Sequence, residues 1–147
     1  MEWLRRLYPK AVAYLRWWLD YRRDADGWIV YACSWESGQD VSSRFGPQQT
    51  GGTIIQHIRP VDLQARVALS AEILSRWATL LAGNAHAEDI QEPSQQASDL
   101  SLDAVWWQKI AGEYTEKTRT MWRDGWFRDY DSMVPEWSIY FNLPYPR

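Results

Sequence analysis

Apolar residues recur at intervals of three and four along much of the chain, and three stretches carry that period far enough to predict helices. The first runs from Trp3 to about Arg23, with Leu4, Leu7, Tyr8, Ala11, Val12, Leu15, Trp18 and Leu19 on one stripe and arginines opposite. Pro9 falls inside it and predicts either a start there or a kink, because proline removes a donor from the helix ladder. Asp24-Ala25-Asp26-Gly27 ends the helix, and Trp28-Ile29-Val30-Tyr31 reads as a short extended run. A second helix is expected from Asp62 to Ala82, burying Leu63, Val67, Ser70, Ile73, Leu74, Trp77, Leu80 and Leu81, with Gly83-Asn84 as its stop. Residues 85–100, rich in Glu, Gln, Ser and Asp and including His86 and Pro93, predict an exposed and partly flexible polar connection. A third helix, capped by Ser101 or Asp103, runs to about Arg123 with Trp106, Ile110, Tyr114, Met121 and Trp122 as its apolar set and Gly125 as its end. Helices two and three should form an antiparallel hairpin. The tail from Met133, with Pro135, Pro144 and Pro146, should be irregular.

One stretch follows neither period. Trp35-Glu36-Ser37-Gly38-Gln39-Asp40-Val41-Ser42-Ser43-Arg44-Phe45 places two carboxylates, a guanidinium and two aromatics around a glycine, which reads as a loop suited to chemistry. A carboxyl near Trp35 and Phe45 loses solvation, so the pKa of Asp40 should rise toward that of a general acid. Arg44 pulls the other way, and the balance depends on whether it faces Asp40 or a ligand hydroxyl. Glu36 is a poor partner carboxylate for Asp40. An inverting pair needs roughly 6.5–9.5 Å and a water between its carboxyls, which one tight loop rarely provides. A binding or loop-bracing role suits Glu36 better.

Trp-Glu-Ser-Gly-x-Asp-x-Ser-x-Arg followed by an aromatic resembles the catalytic-acid loop of the trehalase and processing α-glucosidase group, which includes the mannosylglycerate hydrolases, within the six-hairpin glycosidases. Trehalases carry Trp at the position of Gln39 and Phe at that of Val41, with Ser-Ser-Arg matching Ser42, Ser43 and Arg44. The α-glucosidase form usually has Asn at 41 and Ser-Pro at 42 and 43, so the chain mixes the two signatures. Pro60-Val61-Asp62-Leu63 resembles the element that follows the acid loop in trehalases, with Gln64 in place of Asn. Asp62 is adequately explained as a residue capping the second helix, with the family element as the competing reading. Trp126-Phe127-Arg128-Asp129-Tyr130-Asp131 resembles the family's aromatic-Asp-Tyr-Asp element, where Asp129 and Asp131 read as backbone caps holding a loop at the barrel mouth rather than as a metal or catalytic pair.

Composition narrows the remaining choices. At 147 residues and 46% hydrophobic, the chain is about one domain long and has enough apolar material for a core. Eleven Trp and eight Tyr supply faces on which sugar rings pack, although most of them should fill helix contacts. The net charge of −3 and the absence of a basic patch beyond Arg5-Arg6 and Arg22-Arg23 argue against nucleic acid. Cys33 stands alone, so it forms no internal disulfide and no cysteine zinc site, and it reads as a small buried hydrophobe. His57 and His86 show no triad context. No run reaches the ~18 apolar residues of a membrane span, and no signal peptide is visible, which favours the cytoplasm.

The expected fold is all-α, a set of helix hairpins forming an incomplete part of an (α/α)6 toroid, with residues 1–147 a fragment of one catalytic domain. A closed barrel of six hairpins needs far more helix than three elements supply. The resemblance implies an inverting hydrolase of α-linked sugars, with Asp40 the catalytic acid and Trp35, Glu36, Gln39 and Arg44 holding the carbohydrate substrate. It implies no metal and no organic cofactor, and its partner is the missing remainder of the domain. A matching base glutamate is not visible after Asp40, so the chain alone should hydrolyse nothing and, with apolar stripes uncovered, should self-associate. The alternative is a non-catalytic helical module that binds sugar or protein. A helical solenoid fits less well, because the three helices share no repeat.

Overall fold

A computed structural model of the chain describes residues 1–39, 42–45, 52–88, 95–133 and 136–137. They are mostly helical, with three long helices: α1 (Glu2–Tyr21), α2 (Val61–Glu88) and α3 (Gln95–Thr120). Five two-residue strands complete the described elements: β1 (Ile58–Arg59), β2 (Trp122–Arg123), β3 (Trp126–Phe127), β4 (Tyr130–Asp131) and β5 (Glu136–Trp137). Contacts divide the chain into two compact units, Met1–Trp17 with Ala65–Glu116 and Trp18–Gln64 with Lys117–Arg147.

The first unit is helix on helix. From α1 it buries Leu4, Tyr8 and Leu15, so the helix continues through Pro9 instead of starting or breaking there. Both Pro9 and Arg5, whose carbonyl loses its ladder donor, lie on the exposed side. Leu7, expected in the core, is 41% exposed because the buried row runs one position away. On α2 the buried row is Val67, Ala71, Leu74, Ala78 and Leu81 with Ala82, spaced three and four apart. Alanines take core positions where Ile73 and Leu80 were expected, and those two lie outside. α2 and α3 form the expected hairpin, and the Ser75 hydroxyl donates to the Ala104 carbonyl at 2.8 Å. On α3, Ala97, Trp107, Ile110, Ala111 and Tyr114 are buried, so Trp107 holds the core position expected of Trp106. Above Trp106 lies the Arg16 guanidinium, 4.7 Å from the ring centre. The Tyr8 hydroxyl donates to Asp103 at 3.0 Å.

Helix ends differ most from expectation. Gly83-Asn84 does not stop α2, which continues to Glu88, and α3 begins at Gln95 instead of Ser101. Much of the polar connection at 85–100 is therefore helical backbone, and its centre, 89–94, lies outside the described residues. Asn84 Nδ2 donates to the Leu80 carbonyl at 2.7 Å, keeping that helical turn satisfied. At the other end, Met121 is buried just after α3, whereas Trp122 leaves it for a hairpin. Asp124 and Gly125, with φ of 51° and 84°, make the two-residue connection between β2 and β3.

The second unit has little regular structure beyond the ends of the helices. Strand β4 pairs antiparallel with β1 on one side and with β5 on the other, so part of the tail expected to be irregular joins a three-stranded sheet. The rest of the tail lies outside the described residues. Arg59 donates to Asp24 at 2.8 Å and also bonds Asp26, tying β1 to the turn that follows α1. Its guanidinium lies 5.4 Å from the Trp28 ring centre, and Lys117 Nζ lies 5.6 Å from it. Leu19, Ile29, Tyr31, Phe45, Ile55 and Met121 form the apolar interior.

Candidate active-site loop

The aromatic, charged loop lies wholly in the second unit and begins with a 3₁₀ turn, Ser34–Ser37, that closes on Gly38 in the left-handed region at φ 68°. Serines organise it, because so short a turn satisfies few of its own backbone groups. Buried Ser34 accepts from the Gly52 N–H at 3.1 Å through its hydroxyl, and its own N–H donates to the Thr53 carbonyl at 2.9 Å. The Ser37 hydroxyl donates to the Ser34 carbonyl at 2.6 Å and accepts from the Gln39 N–H at 3.0 Å. Beyond it, the Ser42 N–H donates to the Gln39 carbonyl at 2.9 Å, and a second 3₁₀ turn covers Ser43–Phe45.

Asp40, the residue expected to act as acid, lies outside the described residues, as does Val41. Trp35, Glu36, Gln39 and Arg44 are described, and their surroundings differ sharply. Trp35 is 64% exposed, its indole lying against Gly52, where an added Cβ would come within 3.0 Å of the ring. Only glycine permits both that approach and the local φ of 83°. Glu36 is a brace. Its carboxylate accepts from Arg22 Nε at 3.0 and 3.1 Å, from Arg22 NH2, and from the Ala32 N–H at 2.7 Å. Hydrogen bonds from Arg22 hold its carboxyl below the ordinary glutamate range, so it stays ionised.

Arg44 is the centre of the loop. Its side chain is 5% exposed and bridges three partners, two of them distant in sequence. Nε and NH2 form a fork on the Asp129 carboxylate at 2.9 and 3.1 Å, NH2 reaches Asp62 Oδ1 at 2.6 Å, and NH1 reaches Gln39 Oε1 at 3.1 Å. Burial works against its charge, but the Asp129 and Asp62 carboxylates more than offset this and hold its pKa above the ordinary value. Burial also pushes the Asp129 carboxyl up, against the pull of Arg44. Asp129 nevertheless stays ionised near neutrality, because N–H donors already occupy both of its oxygens.

The partners of Arg44 are residues that sequence reasoning placed elsewhere. Asp62 was expected to cap α2 or match a family element; it takes Arg44 on one oxygen and the Tyr31 hydroxyl, at 3.1 Å, on the other. The side chain that meets the first N–H of α2 belongs to Asp129, which accepts from Val61 at 2.8 Å and is 0% exposed. Gln64 is equally buried. Its amide pairs with both the N–H and the carbonyl of Ile29 at 3.2 and 2.7 Å, as a neighbouring strand would. The signal available in advance was Arg44 itself, since a buried guanidinium needs carboxylates, and the chain offers few aspartates beside apolar runs. Elsewhere, His57 Nε2 is 4.0 Å from Asp131, and Cys33 is half-buried and free. Among the described residues, no group of three or more His, Cys, Asp or Glu gathers to hold a metal ion, and no helix is long and apolar enough to cross a membrane.

Helix hairpins with a braced loop are consistent with part of a helical glycosidase domain of the six-hairpin kind. The family model of the mannosylglycerate hydrolase MGH1-like glycoside hydrolase domain matches residues 1–135, and the chain belongs to that family. No curated protein and no solved structure matches it. Membership implies a carbohydrate as the substrate class.

Proposed function

We propose that this chain supplies the acid side of an inverting glycosidase acting on α-linked sugars of the trehalose, mannosylglycerate or α-glucoside kind. The observation that carries the reading is a family match over residues 1–135, which span the loop that resembles the acid loop of the trehalase and α-glucosidase group. In this mechanism Asp40 protonates the leaving oxygen as the glycosidic bond breaks, while a base carboxylate activates water on the opposite face of the sugar ring. Trp35 offers its exposed indole to the ring, and the braces on Glu36 and Arg44 fix the described residues on either side of the acid in sequence. Glu36 is a poor base, since Arg22 and the Ala32 N–H occupy its oxygens. The base in this reading is therefore a carboxylate other than Glu36.

The test separates an acid from a merely structural aspartate. In a form of the protein that turns over α-glycosides, Asp40→Asn should lower kcat at least ~100-fold on a sugar with a poor leaving group. It should lower kcat much less on an activated aryl α-glycoside, whose leaving group needs no proton. Equal losses on both substrates would sink the assignment. The isolated 147-residue chain should release no sugar from trehalose or mannosylglycerate.

A further inference from the structure

Gln39 is exposed, yet its side chain is not free to turn. Its Oε1 accepts from Arg44 NH1 at 3.1 Å, and Arg44 is itself fixed by the fork on Asp129 and the bond to Asp62. A guanidinium has donors and no acceptor. Rotating the Gln39 amide by half a turn would set N–H against N–H, so the chemistry of Arg44 alone decides which end of the amide faces inward. The oxygen must face Arg44, and the amide nitrogen with its two hydrogens faces away from it. The backbone on either side is equally constrained, because the Gln39 N–H is held by the Ser37 hydroxyl and its carbonyl by the Ser42 N–H. The result is an outward donor of fixed polarity, next in sequence to the proposed acid and four residues from the exposed face of Trp35.

We propose that Gln39 orients the ligand by donating a hydrogen bond from its side-chain amide to an oxygen of a bound neutral sugar, with Arg44 setting the polarity of that amide. The inference rests on the sugar-binding reading of the loop. Hydroxyl, ring and acetal oxygens all present lone pairs to such a donor. Two carboxylates and one guanidinium leave the Arg44 cluster with an excess negative charge, which favours a neutral sugar oxygen over a carboxylate in this position. Arg44 thus acts on the ligand through Gln39, as a positioning residue.

Two substitutions of nearly unchanged length separate this role from bracing. Gln39→Glu keeps an oxygen toward Arg44 but replaces the outward donor with a second acceptor, and Gln39→Met removes donor and acceptor together. The full chain would be titrated with trehalose and with methyl α-glucoside by calorimetry or ligand-observed NMR, and each variant checked by its unfolding transition. The expected result is that wild type binds, that both variants fold, and that both bind at least ~10-fold more weakly, as loss of a ligand hydrogen bond does. If wild type binds and the folded Gln39→Glu binds as well, the inference falls while the sugar-binding reading stands. Unchanged binding by Gln39→Met overturns it in the same way. If wild type binds neither sugar, this inference falls, and the proposed function stands or falls on the Asp40→Asn comparison.

Discussion

The two compact units bury different kinds of side chain. In the unit of Met1–Trp17 and Ala65–Glu116 the interior is Leu, Ala, Val, Ile, Trp and Tyr, and Ser75 is its one buried polar residue among those described. The unit of Trp18–Gln64 and Lys117–Arg147 buries Ser34, Ser37, Arg44, Gln64 and Asp129 beside its apolar residues. Backbone explains the difference. Long helices satisfy their own N–H and carbonyl groups, so side chains are left to fill space. A unit built from 3₁₀ turns, two-residue strands and connections leaves many backbone groups open. Side chains must meet them, as Asp129 meets Val61, Gln64 meets Ile29 and Ser34 meets Gly52.

The contrast is open to test, and the largest effects come from the centre of each unit. Trp107→Ala should cost about 3–5 kcal/mol, as deletion of a fully buried aromatic does. Asp129→Ala should cost a similar ~3–5 kcal/mol for a different reason, because it strands a buried guanidinium and the first N–H of α2. Urea denaturation measures both, and a cost for Asp129→Ala below ~1 kcal/mol would show that the second unit does not depend on its ionic centre.

A smaller effect should appear in acid. Hydrogen bonds from Arg22 lower the folded-state pKa of Glu36, so its contribution is present above the ordinary value of 4.5 and fades as pH falls from there toward the folded value. Glu36→Gln should cost about 1–3 kcal/mol at neutral pH and remove that part of the acid dependence. Parallel wild-type and variant stability curves between pH 7 and 3 would mean that the Arg22 brace is energetically idle. The smallest change is Gly52→Ala, at about 1 kcal/mol, from the strained φ and the push of a new Cβ on Trp35. Its clearer signature is a shifted indole N–H resonance for Trp35, and an unmoved resonance would mean the ring does not rest on Gly52.

Helix existence was legible because period-three-and-four patterns span many residues. Helix ends were less so. Gly83-Asn84 looks like a stop, yet the helix continues at Asn84 through its bond to Leu80. The choice between Trp106 and Trp107 for the core depends on which neighbour α3 meets, and adjacent tryptophans leave that open in sequence. The hairpin after α3 was written in Asp124-Gly125, a dipeptide suited to a two-residue turn, but it was read as a helix end. The loop at 35–45 announced itself by resisting any period. Its partners did not, because Arg44 meets Asp129 across 85 positions and nothing local encodes so long a contact.

That separation matters for a chain made from one end. At about 5–20 residues per second, Arg44 leaves the peptidyl-transferase centre roughly 4–17 s before Asp129 is joined to it. Through that interval the nascent loop has its serines and the Arg22 brace within reach, but not the fork that closes it. The first N–H of α2 waits for the same carboxylate. Among the described residues Asp129 is thus the last in chain order to join the loop, and its arrival closes the loop and caps α2 in one event.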